Sequence, residues 1–317
     1  VFFLNLLKRY LSFFFIFLKI KRFQVIHCRS YVPSFIISRI NRPESTKLIF
    51  DMRSLLPEEN IVVGNWKYNS AIYLLWKKIE LFTIKNSDVI ITVSENMKKR
   101  VKKLNIKSKI ININLIGSLS KFRFNKRERD VFHHKHGIED KFVILYTGSL
   151  GNNIWNNINN YAIFVSKLLK INNQFFFIFS VPNIEPYFFI IFDKFKIKRS
   201  NYLFIKGIDK DIFNASDAGV NILSKTLDTD TRFGIKVAEY FSHGLPVILR
   251  NTGGAEDFVK KFNAGIVINN YKNLKQLMNK FTTRGFNKTQ IISKSEEYFS
   301  LRYVSKRYLK LYLADDK

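Results

Sequence analysis

The chain has 317 residues, 46% of them hydrophobic, which is enough for about two domains with buried cores and excludes a disordered chain. Its 53 lysines and arginines against 25 aspartates and glutamates give a formal net charge of +28, which predicts an anionic partner (nucleic acid, a membrane surface or a small molecule) unless it only reflects a compositional bias toward Lys, Asn, Ile and Phe. The single cysteine, Cys28, excludes an internal disulfide framework and fits a reducing compartment.

The first 23 residues are strongly apolar but are interrupted by Asn5 and by Lys8-Arg9. The longest apolar run falls short of the roughly 20 residues that a membrane span needs. A small-residue cleavage site typical of a signal peptide is also lacking. We therefore expect a helix with one apolar side, either packed in a domain or lying on a membrane surface.

Two short apolar runs, 25–28 and 47–50, predict buried strands that are followed by polar residues. His27 and Arg29 lie at the end of the first strand. Because the carboxyl ends of strands line the ligand crevices of open α/β sheets, Arg29 is a candidate crevice residue, whereas a lone histidine is more often structural. Asp51-Met52-Arg53 ends the second strand, where its charged residues would either hold acceptor hydroxyls or form an ion pair that fixes the loop.

Residues 66–85 carry large apolar side chains at helical spacing, which predicts a helix that packs this side into the core: Ile72, Leu75, Trp76, Ile79 and Phe82. The segment 117–137 is polar and basic, and we expect an irregular linker between domains. It is also a candidate contact for a membrane or a nucleic acid, although a solvated charged segment would have the same composition.

The second half of the chain alternates apolar runs with helical patterns, which predicts a parallel, doubly wound sheet. Its first strand, from Phe142, ends in the glycine-rich turn Thr147-Gly148-Ser149-Leu150-Gly151. A strand that ends in glycines before a helix is the general arrangement of a phosphate-binding loop, and by itself it is a weak signal.

The segment from Asp228 to Asp257 concentrates residues with chemical potential. We predict a short helix that begins after Phe233-Gly234 and stops at Gly244, because Pro246 cannot continue it. The free N–H groups at its start would suit a phosphate, and Lys236 and Glu239 would share one face, offering a cation for a diphosphate and a carboxylate for a ribose diol. An ordinary surface pair at i,i+3 spacing is the simpler alternative.

The strings FGIKVAEYFSHGLPVI and NTGGAED within this segment resemble the donor-site segment of glycosyltransferase family 4, particularly of its bacterial surface-polysaccharide members. SDVIITVSENMKK, and the glycine turn with Trp155, resemble the same family. The resemblance implies an α/β protein of the GT-B fold, with two Rossmann-like doubly wound domains that face a cleft. The family's opening strand and glycine-rich loop are not evident, so we expect an N-terminal domain that is truncated or divergent.

The resemblance implies that Glu239 holds the nucleotide ribose and that Lys236 neutralises the diphosphate, with both residues required for turnover. His27 keeps one place of a His-x-His pair in the family and Arg29 replaces the other, which makes both candidate catalytic residues. Thr231 stands where the family has a second glutamate that contacts the sugar ring. The other predicted donor-site residues are Gly148, Ser149, Gly151, Ile208, Phe233 and Gly234.

We expect an acceptor-side domain at 1–136, a nucleotide-sugar domain at 138–290 and a closing helix at 291–317 that returns to the first domain. The expected function is that of a hexosyltransferase which moves a sugar from a nucleotide-diphosphate sugar to a lipid-linked or saccharide acceptor, with retention of configuration, in the synthesis of a surface polysaccharide such as lipopolysaccharide. We expect a cytoplasmic protein, peripheral on the inner face of the plasma membrane, with an anionic membrane surface as partner and no nucleic acid. No cofactor and no metal are expected, because Asp228-Thr229-Asp230 is a weak metal motif without its usual context.

Three other functions remain open at this stage. A non-catalytic binding protein or subunit of the same fold would explain Thr231 and the asparagines that follow the glycine turn. A sugar-nucleotide epimerase would need further carboxylates and histidines for proton transfer. A nucleic-acid binder would account for the net positive charge, but the chain has no zinc-ligand spacing or RNA-binding aromatic motif.

Overall fold

The structure is a computed structural model that describes residues 19–114, 124–152, 155–207 and 211–313. The chain divides into two compact units, Val1–Ile113 and Asn114–Lys317. The strands and helices below are numbered along the described chain.

The first unit contains a parallel sheet of four strands in the order β1-β2-β3-β4: β1 (Val25–Arg29), β2 (Lys47–Met52), β3 (Val89–Thr92) and β4 (Lys109–Asn112). Strands β2 and β3 are almost wholly buried, as expected for a parallel sheet that is covered on both faces. Its helices are α1 (Tyr31–Ser38), α2 (Leu56–Val62), α3 (Ala71–Lys85) and α4 (Glu95–Lys102), and a 3-10 turn spans Ile20–Arg22.

The second unit contains a parallel sheet of six strands in the order β10-β9-β8-β5-β6-β7: β5 (Phe142–Thr147), β6 (Phe175–Val181), β7 (Tyr202–Lys206), β8 (Ala218–Ile222), β9 (Val247–Arg250) and β10 (Gly265–Val267). The chain runs outward from β5 to β7 and then returns to lay β8 on the other side of β5. The carboxyl ends of β5 and β8 therefore flank the topological switch point, which is where ligands bind in open α/β sheets.

The described part of the second unit also contains ten helices and a 3-10 turn at Arg199–Asn201: α5 (Lys126–His136), α6 (Ile158–Ile171), α7 (Pro186–Lys194), α8 (Asp211–Ala215), α9 (Leu227–Thr231), α10 (Ile235–Ser242), α11 (Gly253–Phe262), α12 (Leu274–Thr283), α13 (Lys288–Phe299) and α14 (Leu301–Leu313). Two buried apolar clusters form its core. Tyr146 and Phe179 belong to one cluster, and Val143 and Val237 belong to the other. The predicted α/β organisation with a parallel sheet in each unit is confirmed, and the reversal of strand order in the second unit is that of a doubly wound sheet.

The predicted orientation of α3 is wrong for most of the side chains on which it rested. Ile72, Leu75 and Phe82 are 45%, 55% and 39% exposed, whereas Glu80 and Thr83 are buried. Apolar spacing identifies a helix and its apolar side, but partners from other elements decide which side turns inward. Here Tyr31 donates a hydrogen bond of 2.7 Å to Glu80, which turns the polar side toward the core.

The predicted irregular linker is also partly wrong, because helix α5 occupies its second half. Asn125 caps the helix by accepting from the N–H of Arg127 at 3.0 Å, and Gly137 ends it in the left-handed conformation. Arg129 of this helix lies 3.0 Å from Asp217 in the same unit. Lys121 and Arg123 lie outside the described residues, and the predicted return of 291–317 to the first domain stays a prediction.

None of the helices in the described part of the chain is long and apolar enough to cross a membrane. The apolar residues 1–18, for which a packed or membrane-surface helix is predicted, lie outside that part.

Candidate functional site

The switch point of the second unit is built by the turn after β5 and the start of α10. Gly148 follows β5 with a φ of +114°, a conformation that favours glycine. Tyr240 of α10 holds the helix to the strand, because the backbone N–H of Thr147 donates a hydrogen bond of 2.8 Å to the Tyr240 hydroxyl. The turn and the helix therefore lie side by side, as the donor-site prediction requires.

Lys236 points from the first turn of α10 to the turn after β5. Its ammonium donates a hydrogen bond of 3.1 Å to the Asn156 side chain and lies 4.1 Å from the centroid of the Tyr146 ring. A methyl group placed on Gly148 would lie 3.4 Å from the Lys236 Nζ atom. Glycine at this position thus leaves the space in which the ammonium lies against the backbone of the turn.

Electrostatics makes Lys236 an unusual lysine. Burial lowers the pKa of its ammonium to about 7, although the nearby Glu239 carboxylate acts to raise it. None of the described carboxylates forms an ion pair with it. A positive charge that lacks a close anion, at the positive end of a helix, will be stabilised by an anionic ligand.

Glu239 lies one helical turn beyond Lys236, on the same face of α10, and is half-buried. Burial raises the pKa of its carboxyl group, and Lys236 acts in the opposite direction. Neither Lys236 nor Glu239 therefore behaves as a solvated surface residue. The simpler prediction of an ordinary surface pair therefore does not describe them, and a role in donor binding stays a prediction.

The backbone at the start of α10 is open to a ligand. Gly234 occupies the N-cap position with a φ of +85°, and no side chain in the described part of the chain caps the helix. The first N–H groups of α10 are thus left for a ligand. Phe233 is only 2% exposed and packs on Phe299, with ring centroids 4.9 Å apart, so only its backbone can face a ligand.

A group of three side chains, Trp155, Asp228 and Arg232, lies beside the glycine turn and was not predicted from the sequence. The fully buried Asp228 accepts hydrogen bonds from the Trp155 indole at 2.9 Å and from the Arg232 guanidinium at 2.6 Å. That guanidinium lies 4.3 Å from the Trp155 ring centroid. Arg232 thus anchors the segment that leads into α10, and Asp228 balances its charge. The i,i+4 spacing of Asp228 and Arg232 is a sequence signal for their ion pair. No such signal places Trp155 beside them, because it lies 73 positions before Asp228.

Thr231 has the same surroundings. It is 4% exposed, and its hydroxyl donates a hydrogen bond of 2.9 Å to the Asp228 carbonyl. The side chain at the position of the family's sugar-contacting glutamate is therefore directed into the protein. Asp228 is committed to Trp155 and Arg232 while Asp230 is exposed, so the two carboxylates do not converge as metal ligands. Among the described residues there is no cluster of three or more potential metal ligands.

The remaining predicted donor-site residues are less closely assembled. Ser149 is exposed and its carbonyl accepts a hydrogen bond of 2.6 Å from Tyr146. Gly151 is buried and its carbonyl accepts from the N–H of Ile158 at 2.9 Å, which fixes the start of α6. Ile208 lies outside the described residues, directly after Gly207, whose φ is +79°.

A crevice of 680 Å³ lies farther along the carboxyl edge of this sheet, beyond β8 and β9. Lys225, Asp230, Asn251 and Glu256 are among its lining residues. Asn251 has a φ of +56°, and its amide donates a hydrogen bond of 2.8 Å to the Leu223 carbonyl. Most of the residues that line the crevice are polar, and it adjoins the segment that carries Arg232, but Lys236 and Glu239 do not line it.

In the first unit, the predicted residues lie at the carboxyl edge of the four-stranded sheet. Arg29 pairs in register with Asp51 of β2 and is exposed. The buried Asp51 carboxylate lies 3.6 Å from the His27 ring and 3.5 Å from the Arg53 guanidinium. The ion pair of Asp51 with Arg53, which the sequence left as one alternative, is therefore present. His27 is held in the same group, and Arg29 is the side chain that is most open to solvent.

The comparisons with known proteins agree with this architecture. The family model Glucosyltransferase 3-like, C-terminal domain matches residues 229–310, which include α10 with Lys236 and Glu239. No curated protein sequence matches the chain.

Among solved structures, sucrose-phosphate synthase from Thermosynechococcus elongatus superposes with a TM-score of 0.66 at 14% identity, over 91% of this chain and 73% of that one. HepE from Anabaena in complex with UDP gives a TM-score of 0.71 at 12% identity, over 93% and 80% of the two chains. A glycosyltransferase from Rickettsia africae gives 0.63 at 17% identity, over 91% and 76%.

The chain therefore has the GT-B fold of glycosyltransferases, with two Rossmann-like units. Its second unit carries a Lys236–Glu239 pair at the switch point of the sheet.

Proposed function

We propose that the protein is a glycosyltransferase that takes a sugar from a nucleotide-diphosphate sugar. The observation that carries the proposal is the position of Lys236, whose ammonium lies against the turn after β5 at the N-terminal end of α10. A diphosphate in that position would meet the Lys236 ammonium and the free N–H groups of the helix together. Both would stabilise the negative charge that develops on the leaving diphosphate.

The other side chains have complementary parts in this proposal. Glu239 accepts hydrogen bonds from the ribose hydroxyls. The Arg232 guanidinium, which lies over Trp155 and is paired with Asp228, fixes the segment that leads into the helix. The neighbour HepE is described in complex with UDP and with UDP-glucose, which supports a uridine nucleotide as the first donor to test.

We propose a hexosyl transfer with retention, by an enzyme of the family 4 type and without a metal ion, to a lipid-linked or saccharide acceptor. We also propose Arg29 and His27, in the first unit, as catalytic residues. The neighbour WaaG is described as a glycosyltransferase involved in lipopolysaccharide biosynthesis, which supports a role in surface polysaccharide synthesis. Such a role would place the protein in the cytoplasm, at the anionic inner face of the plasma membrane.

Donor binding is the first test. A panel of nucleoside diphosphates and nucleotide sugars is added to the wild type, to Lys236→Ala and to Glu239→Ala, and the midpoint of thermal unfolding is measured. A ligand that binds only the folded state raises this midpoint. We expect a rise with one nucleotide in the wild type and its loss in both variants. The exposed i,i+3 pair of α13 supplies the matched controls Lys294→Ala and Glu297→Ala, which should keep the rise.

Transfer is measured next, with the labelled nucleotide sugar that binds and with lipid extract or oligosaccharide as acceptor. Both site variants should lose turnover while they remain folded, and near-normal turnover in either would contradict the proposal. The inward orientation of Thr231 favours a second candidate, a protein that binds the nucleotide without transferring sugar. Binding without turnover in the wild type, over a broad set of acceptors, would support that candidate instead.

A further inference from the structure

Helix α3 of the first unit has an inverted distribution of side chains. Its only carboxylate, Glu80, is 5% exposed, accepts a hydrogen bond of 2.7 Å from Tyr31 and pairs with Lys77. Thr83 is fully buried beside it and donates a hydrogen bond of 2.8 Å to the Ile79 carbonyl. The inward side of the helix thus carries Glu80 and Thr83 together with the buried Tyr73 and Ile84, and the bond from Tyr31 ties this side to the rest of the unit.

The outward side of α3 carries large apolar side chains. Five of them are between 38% and 55% exposed: Ile72, Leu74, Leu75, Leu81 and Phe82. We call these five residues, together with Lys78 and Lys85, the outer face of α3. These apolar side chains form two rows with the lysines between them, and so many exposed apolar side chains on one helix of a folded protein usually mark contact with a membrane or another protein.

Charge distinguishes between these two kinds of partner. At 100° per residue, Lys78 and Lys85 lie between Leu74 and Leu81 on one side and Leu75 and Phe82 on the other, and both lysines are exposed. The outer face has no carboxylate. The carboxylate that follows the helix, Asp88, is paired with Arg42 at 3.1 Å.

We propose that the outer face of α3 docks on an anionic membrane surface. The leucines and Phe82 enter the boundary between headgroups and acyl chains, and the two lysines extend to the lipid phosphates. Two copies of the chain that packed this face symmetrically would bring the lysine rows against each other, which opposes self-association. The proposal gives a location to the membrane partner proposed above, and its test does not depend on sugar transfer.

Vesicle binding of the full chain tests the proposal. Sedimentation is measured with vesicles of phosphatidylcholine alone and of phosphatidylcholine mixed with phosphatidylglycerol. The variant Lys78→Gln/Lys85→Gln should bind the mixed vesicles about 30-fold more weakly, since each lysine near an anionic surface contributes about fivefold. The variant Leu75→Ser/Phe82→Ser should also lose binding. All variants retain residues 1–18, so any contribution of that segment is common to them.

Ile190 on α7 provides the matched control because it is 68% exposed in the second unit. Ile190→Ser should bind like the wild type. Unchanged binding of both α3 variants to mixed vesicles would overturn the proposal. So would a wild type that ignores both kinds of vesicle but forms dimers which the α3 variants lose, because the occupant would then be a second copy.

A labelling experiment identifies the contact without polar substitutions. Cys28 is only 6% exposed, so Leu75→Cys and Ile190→Cys each offer one accessible thiol for an environment-sensitive fluorophore. Mixed vesicles should shift the emission to the blue at position 75 and leave it unchanged at position 190. A shift at both positions, or at neither, would overturn the proposal.

Discussion

The pKa of Lys236 makes the stability of the protein depend on pH. This pKa of about 7 lies below the ordinary lysine value because the ammonium is buried without a close anion. Between pH 7 and the ordinary lysine pKa of about 10.4 the unfolded chain therefore binds more protons at this residue than the folded chain. The contribution of Lys236 to the free energy of unfolding must therefore rise with pH across this window. Below pH 7 the ammonium is charged in the folded chain, and the full cost of burying that charge destabilises the fold.

We accordingly expect Lys236→Met to raise the thermal midpoint of the ligand-free protein at pH 6.5, and this gain should shrink toward pH 9.5. The neutral side chain removes the cost of burying a charge. Lys294→Met, at a lysine of α13 outside the candidate site, serves as the control for the substitution itself at both pH values. An equal effect of Lys236→Met at both pH values would mean that its ammonium is well solvated.

The same residue predicts how nucleotide affinity varies with pH. A bound diphosphate favours the charged ammonium, so binding must take up a proton wherever the free lysine is neutral. Above pH 7, where a terminal phosphate with a pKa of about 6 is already ionised, the affinity for a nucleoside diphosphate should fall as pH rises. Titration calorimetry in buffers of different ionisation enthalpy measures the proton uptake. Lys236→Ala should abolish it, and uptake that persists in this variant would assign it to another group.

At the scale of secondary structure, the position of α10 depends on one close contact with the sheet. The ring of Tyr240 lies directly against Gly219 of β8, where an added methyl group would be 2.3 Å from the ring. The Tyr240 hydroxyl also accepts the hydrogen bond from Thr147 of β5. The ring thus fixes α10 across the two strands that flank the switch point, and with it Lys236.

Gly219→Ala should therefore destabilise the protein by about 1–3 kcal/mol through overpacking. It should also weaken nucleotide binding, because α10 would have to move. In the double variant Gly219→Ala/Tyr240→Leu, the loss should be smaller than the sum of the two single losses, since the smaller side chain relieves the clash. Chemical denaturation of the four proteins measures this coupling. Strict additivity would show that the ring and the methyl group do not compete for space.

For the whole molecule, the division into two compact units has a thermodynamic consequence. Each unit has its own parallel sheet, and the second contains two large apolar clusters. We expect calorimetry of the full chain to depart from two-state unfolding and to resolve two transitions. A nucleoside diphosphate should raise only the transition of the second unit, because Lys236 and the turn after β5 both belong to it. One transition, with equal calorimetric and van't Hoff enthalpies, would contradict this expectation.

Much of the fold could be predicted from the sequence because its causes are local. Strands such as β3, β5 and β6 are short, nearly continuous apolar runs, as is typical of a parallel sheet covered on both faces. The start and end of α10 could be predicted from Gly234, Gly244 and Pro246. The backbone conformations that glycine and proline allow are a property of the residue itself and depend little on its tertiary surroundings. The pairing of Lys236 with Glu239 on one face follows from helical geometry alone.

Tertiary structure decided the features that depend on residues far apart in the chain. The pKa of Lys236 depends on burial near Tyr146 and Asn156, about 80 to 90 positions earlier. The orientation of α3 was wrongly predicted because its two sides both carry large side chains. Contacts with distant residues, such as the hydrogen bond from Tyr31 to Glu80 49 positions away, decide which side turns inward. Sequence periodicity specifies which side chains share a face, whereas the free energy of packing that face depends on partners that only the folded chain brings together.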